Sequence, residues 1–64
     1  MRITKTYQIE LLDSSNPDRF EIIQAKTDSD AIAQGHGFEV ENKVALLNIF
    51  QVNSYNYNII KQVY

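Results

Sequence analysis

Apolar and polar residues alternate along the first part of the chain. In residues 2–12, every second position from Ile3 to Leu11 is apolar except Lys5, and the positions between them are Thr, Gln or Glu. This period of two, with β-branched and aromatic residues, is typical of a β-strand that buries one face. Residues 19–26 form a second strand-like run, with apolar residues on both faces.

The segment DSSNPD, residues 13–18, separates these two runs. Asp, Ser and Asn side chains hydrogen-bond to their own backbone in turns, and Pro17 fixes its φ angle. We therefore predict a β-hairpin over residues 2–26, in which this loop joins the two strands.

The signals of a helix start follow the hairpin. Thr27 is a candidate N-cap, and Asp30, three residues later, resembles the acidic partner in a capping box. Asp28 and Asp30 also suit the positive end of the helix dipole. Ala31 and Ile32 give only a narrow apolar stripe, so a helix this short must pack on the sheet to be stable.

Two glycines mark the predicted end of this helix. Gly35 or Gly37 can take the left-handed conformation that closes a helix, so we predict a helix over residues 27–36. FEVEN, residues 38–42, is then a linker or a short strand. His36 is predicted to be a solvated loop residue, and a role as general base or ligand is the less favoured alternative.

The most hydrophobic run is KVALLNIFQV, residues 43–52. Strict alternation places Leu47 and Ile49 on one face and Leu46 on the other. Apolar residues on both faces favour a strand in the centre of a sheet. The length of the run and its Ala-Leu-Leu segment also allow a helix, but the strand is favoured.

The end of the chain has the pattern of a second hairpin. NSYN, residues 53–56, consists mostly of turn-forming residues. Residues 57–64 alternate again, with Ile59 and Lys61 on the same face. We predict a hairpin over residues 43–64 whose last strand lies at a sheet edge.

These elements predict an α+β fold with the order ββαββ. Its sheet is antiparallel or mixed, one short helix packs on one face, and residues 1–64 make a single small domain. A domain of this size buries only about 60% of its unfolded surface, so its stability is marginal. The chain has no cysteine for a disulfide. Oligomerisation, for example as a homodimer, is another way to add stability.

The distribution of charge changes the functional expectations. The net charge is −2, with seven acidic and two basic residues in residues 13–41, and only two lysines, without acids, in residues 42–64. An acidic chain is a poor nucleic-acid binder, because phosphate attraction supplies most non-specific affinity. The sequence has no apolar run long enough for a membrane helix and its N-terminus is too polar for a signal peptide. We therefore expect a cytoplasmic protein that does not bind membranes.

The sequence offers little for catalysis or metal binding. Its only histidine is His36, its serines lie in predicted turns and caps, and it has no glycine-rich phosphate loop. Glu39 and Glu41 could share a strand face and bind a cation, but a solvated pair is the favoured interpretation. We predict that the chain is not an enzyme and needs no metal or cofactor.

Two surfaces are candidates for binding a partner. The first follows the last strand and its turn, where tyrosines flank an edge open to strand addition, and it comprises Tyr55, Tyr57, Ile59, Lys61 and Tyr64. The second is an acidic surface that could face a basic partner, as an alternative to simple solvated residues, and it comprises Asp13, Asp18, Asp28, Asp30, Glu39 and Glu41.

The function we expect is that of a small protein-interaction module, a regulator or inhibitor. Isoleucine, asparagine, lysine, tyrosine and phenylalanine make up 25 of 64 residues. Their A/T-rich codons suggest an A/T-rich genome, as in many phages and mobile elements. One alternative is a single-stranded nucleic-acid binder that stacks bases on tyrosines, using Lys43, Tyr55, Tyr57 and Lys61. Another is a structural subunit of a larger assembly.

Overall fold

The computed structural model describes residues 3–64 and contains four β-strands and one α-helix in the order ββαββ. The elements are β1 (Lys5–Leu12), β2 (Phe20–Ala25), α1 (Asp28–Asn42), β3 (Ala45–Val52) and β4 (Ile59–Gln62). The predicted α+β class and element order are confirmed. The strand position predicted for Arg2 lies outside the described residues.

The four strands form one antiparallel sheet in the order β2-β1-β3-β4. The first and third strands pair in the centre, which confirms the strand and the central position predicted for residues 43–52. The second and fourth strands lie at the two edges, so the edge position of the last strand is also confirmed.

The core lies between the helix and one face of the sheet. The central strands supply its largest side chains, which are completely or almost completely buried. Helix α1 turns Ala31 and Gly35 towards them. The buried cluster consists of Tyr7, Ile9, Leu11, Ala25, Ala31, Leu46 and Ile49.

Helix α1 is longer than predicted. It continues through the Gly-His-Gly segment to Asn42, so the linker or short strand predicted for residues 38–42 is wrong. Phe38 packs against the core and extends the apolar stripe of the helix beyond Gly35. Lys43, with a φ angle of 55°, takes the left-handed position that we assigned to a glycine.

The role of Gly35 is close packing, not helix termination. A Cβ atom on this residue would lie 2.8 Å from Ile49 Cδ1 and 3.2 Å from Leu46 Cδ2. Among the described residues, no atom of another element lies within 4 Å of the corresponding position on Gly37. The missing side chain of Gly35 therefore lets the helix backbone approach β3.

A β-bulge in the central strand pair changes which residues enter the core. Glu10 lies opposite Asn48, but Leu11 lies opposite Leu46, so Leu47 is the extra residue. A bulge of this kind reverses the alternation of side chains beyond it. Leu46 and Ile49 therefore both enter the core while Leu47 is 46% exposed, and the faces predicted by strict alternation are wrong here.

A second irregularity lies in the β3–β4 pair. Gln51 lies opposite Lys61, whereas Val52 lies opposite Ile59, so Ile60 is the extra residue. Ile59 and Lys61 therefore face opposite sides of the sheet, and their predicted common face is wrong.

Candidate functional site

The asparagines of NSYNYN, residues 53–58, build the turn between β3 and β4. The Asn53 side-chain oxygen accepts a hydrogen bond from the Tyr55 amide at 2.8 Å, and the Asn56 side-chain oxygen accepts one from the Asn58 amide at 3.1 Å. The backbone closes the loop through bonds from Tyr57 N to Asn53 O and from Asn53 N to Asn58 O, both 2.9 Å. The turn thus takes six residues instead of the predicted four.

The two tyrosines of this turn project from the protein. Tyr55 is 94% exposed, and Tyr57 is about half exposed. Tyr57 has a φ angle of 57°, a left-handed conformation that is unfavourable for a residue with a Cβ atom. It precedes β4, so the prediction that it belongs to the last strand is wrong.

Strand β4 is an exposed sheet edge. All four of its residues are exposed, including Ile59 at 59% and Ile60 at 58%. Within residues 3–64, no strand pairs with its outer side. An edge strand of this kind leaves a row of backbone N–H and C=O groups that can pair with another chain.

The remaining two residues of the predicted partner surface turn towards the helix. Lys61 Nζ lies 2.9 Å from Asp28 Oδ2 at the start of α1. The rings of Tyr64 and His36 pack edge to face with their centroids 5.4 Å apart. The five predicted residues therefore follow one strand and its turn, but they do not form a single face.

Lys61 belongs to a polar cluster that the sequence did not reveal. The hydroxyl of buried Tyr7 donates a hydrogen bond of 2.5 Å to Asp28 Oδ1, and the second carboxylate oxygen binds Lys61. The pKa of Tyr7 is raised to about 12, mainly by burial and next by the hydrogen bond to Asp28. The pKa of Asp28 is lowered, mainly by the hydrogen bond from Tyr7 and next by that from Lys61. The cluster joins the central strand, the helix start and the edge strand.

This cluster predicts how stability changes with pH. Because the folded pKa of Tyr7 is raised to about 12, its contribution is complete below the unfolded value of about 10 and is lost as pH rises through 12. Because the folded pKa of Asp28 is lowered, its contribution is complete above the unfolded value and is lost as pH falls through the folded pKa.

The Tyr7→Phe variant tests this linkage. It should lower the free energy of unfolding at neutral pH by about 1 kcal/mol, the usual value of one hydrogen bond. Urea unfolding of wild type and variant between pH 7 and 11.5 should show the difference shrinking above pH 10. A difference that stays constant over that range would contradict the predicted ionisation of Tyr7.

His36 and Glu39 lie on the helix, which corrects two predictions. His36 is not in a loop, and its Nδ1 lies 2.7 Å from Glu39 Oε1. Glu39 Oε2 accepts a hydrogen bond of 3.0 Å from the Leu46 amide. The pKa of Glu39 is lowered, mainly by this hydrogen bond and next by the contact with His36. Because residues 38–42 are helical, Glu39 and Glu41 do not share a strand face.

The six acidic residues occupy two separate ends of the molecule. Asp28 and Asp30 start the helix, where Thr27 Oγ1 accepts the Asp30 amide at 3.1 Å, confirming the predicted N-cap. The other four, Asp13, Asp18, Glu39 and Glu41, lie in the β1–β2 loop and near the helix end.

Arg19 connects the β1–β2 loop to the end of the helix. Arg19 Nη1 lies 3.0 Å from Asp13 Oδ2, and Arg19 Nη2 donates to Asn42 Oδ1 at 2.9 Å. Hydrogen bonds from Ser15 and then Arg19 lower the pKa of Asp13. Asp30 Oδ2 also accepts a hydrogen bond of 3.5 Å from the Lys26 amide. Four of the six predicted acidic residues, Asp13, Asp28, Asp30 and Glu39, are thus engaged in contacts within the protein.

The residues of the nucleic-acid alternative are also separated. Lys43 follows the last residue of α1, and Lys61 binds the first. A helix of 15 residues is about 20 Å long, so the two ammonium groups do not make one phosphate-binding patch.

Comparison with known proteins adds no functional information, since no protein family, curated protein or solved structure significantly matches this chain. In the described part of the chain, no helix is long and apolar enough to cross a membrane. Residues 3–64 contain no cluster of three His, Asp or Glu side chains placed to hold a metal ion.

Proposed function

We propose that this chain is a non-enzymatic protein-interaction module that binds another protein by strand addition along the outer edge of β4. The observation that carries the proposal is that this edge strand is exposed along its whole length. A partner strand would pair with its backbone, and Ile59 and Ile60 would supply apolar contacts. Tyr55 and Tyr57 would extend the contact past the end of the strand.

The edge is only partly protected, which leaves it open to strand addition. Natural sheets shield their edges with lysines, prolines, bulges or very short strands. β4 has no proline, and its single charged residue, Lys61, is held by Asp28 on the helix side of the sheet. The bulge at Ile60 and the short length limit pairing to a few residues. We infer a partner segment of similar length.

Biological role and location remain proposals from the sequence. A small binding module without catalytic groups suits a regulator or inhibitor, and the amino-acid usage suggests a phage or mobile element. A cytoplasmic location belongs to the same proposal. If the partner is a second copy of the chain, two β4 strands would pair about a two-fold axis, and sedimentation equilibrium would give the mass of a homodimer.

The Ile60→Lys variant tests the proposed edge. The side chain is 58% exposed, so the variant should remain folded, while a lysine in the edge should prevent strand addition. We would immobilise the wild type and the variant, capture proteins from a lysate of the source cells with and without nuclease treatment, and identify them by mass spectrometry. One protein should bind the wild type stoichiometrically and be reduced at least tenfold on the variant.

The matched control is Val40→Lys, which replaces another apolar side chain, 82% exposed on the helix, by the same residue. This variant should retain the partner. Equal capture by Ile60→Lys and the wild type would contradict edge binding. Capture that nuclease abolishes would favour the nucleic-acid alternative instead.

A further inference from the structure

A cavity of about 260 Å³ lies beside the loop between β1 and β2. Its walls come from the loop, from the ends of β1 and β2, and from the bulge in β3. The turn of NSYNYN is at the other end of the sheet, because Val52 pairs with Thr6 near the start of β1. The lining residues are Glu10, Leu11, Pro17, Asp18, Arg19, Phe20 and Leu47.

The positive charge of Arg19 is already compensated. Its guanidinium group donates to Asp13 and to Asn42. Glu10 and Asp18, by contrast, form no ion pair with any residue of the described range 3–64. The cavity is thus lined by two acidic residues without a counter-charge from those residues.

One hydrogen bond and two apolar side chains make the cavity suitable for a cation. Asn48 Nδ2 donates to Glu10 Oε1 at 3.0 Å, which orients that carboxylate and leaves its other oxygen available. Phe20 and Leu47, which are both about half exposed, supply apolar walls. An aromatic face attracts a cation, most strongly where water is partly excluded.

We propose that this cavity receives an arginine side chain of a partner protein. A guanidinium group is planar, can stack on the ring of Phe20, and donates several hydrogen bonds in fixed directions to carboxylates. The ammonium group of lysine is more strongly hydrated and does not stack, so the combination of Phe20, Glu10 and Asp18 favours arginine.

This inference rests on the proposed function only in that the partner is a protein. The cavity and the outer edge of β4 lie on different parts of the sheet, and Ile60 does not line the cavity. The Ile60→Lys variant should therefore bind an arginine probe as well as the wild type does. A result that contradicts strand addition at β4 can thus be distinguished from one that contradicts arginine binding in the cavity.

The test is a nuclear magnetic resonance titration of the ¹⁵N-labelled protein with N-acetyl-arginine amide, alongside the lysine and norleucine amides. We expect saturable shifts of the backbone amides of Asp18, Phe20 and Leu47 with the arginine probe. The Glu10→Gln/Asp18→Asn double variant should weaken binding roughly tenfold, since hydrogen bonds to charged groups are lost. The Glu41→Gln variant removes a carboxylate outside the cavity and should change affinity less than about twofold, since exposed charges contribute little.

Several results would overturn the proposal. They are the absence of shifts with the arginine probe, shifts centred on other residues, and unchanged affinity in the folded double variant. Equal affinity for the lysine probe would overturn the choice of arginine. Shifts of the same size with the norleucine probe would show that charge has no part in binding.

Discussion

The Gly35→Val variant is expected to lose roughly 2 to 3 kcal/mol of unfolding free energy, the upper part of the usual range for overpacking a well-packed core. The added Cβ atom would lie 2.8 Å from Ile49 Cδ1, and Ile49 is completely buried, so its side chain has little room to move. The two further methyl groups of valine increase this conflict. For a domain of 64 residues, whose whole stability is about 3 to 10 kcal/mol, this is a large fraction.

The matched control is Gly37→Val on the same helix. A Cβ atom on Gly37 has no atom of another element within 4 Å among the described residues, and valine is a slightly better helix former than glycine. The control should therefore change stability by less than about 0.5 kcal/mol. Chemical denaturation followed by circular dichroism measures both variants. Equal destabilisation of the two would contradict the account in which close contact of Gly35 with β3 decides the effect.

The Ile49→Ala variant is expected to lose about 2 to 5 kcal/mol, the usual range for removing a large buried aliphatic side chain. Ile49 is completely buried between the sheet and the helix. The cavity would lie against Gly35, which has no side chain to fill it. A loss at the upper end of this range is at least half of the whole stability of a domain of this size.

Leu47→Ala is the comparison that isolates the bulge. Strict alternation puts Leu47 and Ile49 on the same face, whereas the bulge leaves Leu47 46% exposed and Ile49 buried. Leu47→Ala should cost less than about 1 kcal/mol, since nearly half of the residue is already exposed and the substitution removes less buried apolar area. Thermal and urea unfolding give both values. Similar losses at the two positions would contradict the bulge.

The elements of the fold follow from local patterns in the sequence. Alternation in residues 2–12, the turn residues of the two connections and the N-cap at Thr27 are short-range signals, and each is found in the structure. The features that differ depend on contacts between distant residues. Gly35 reads as a helix end when taken alone, and only its contact with Ile49 shows why the helix continues past it.

In the candidate site too, features set by the local sequence could be predicted, and features set by contacts between distant residues could not. The exposed edge and the turn of NSYNYN could be predicted, because residues 43–64 have the local pattern of a hairpin. The Tyr7–Asp28–Lys61 cluster could not, since it joins residues from three elements and each of them has an ordinary local role. The bulge at Ile60 is also not visible in the alternating pattern, which places Ile59 and Lys61 on a common face.

Hydrogen–deuterium exchange of the protein, alone and bound to the partner captured by the wild type, tests strand addition at β4 most directly. Backbone amides that face solvent at a sheet edge exchange quickly, and pairing with a new strand protects them. We predict that protection on binding is concentrated in Ile59–Gln62, and that β2 and α1 change little. Protection confined to β2 or to the acidic ends of the molecule, with β4 unchanged, would contradict the proposed binding edge.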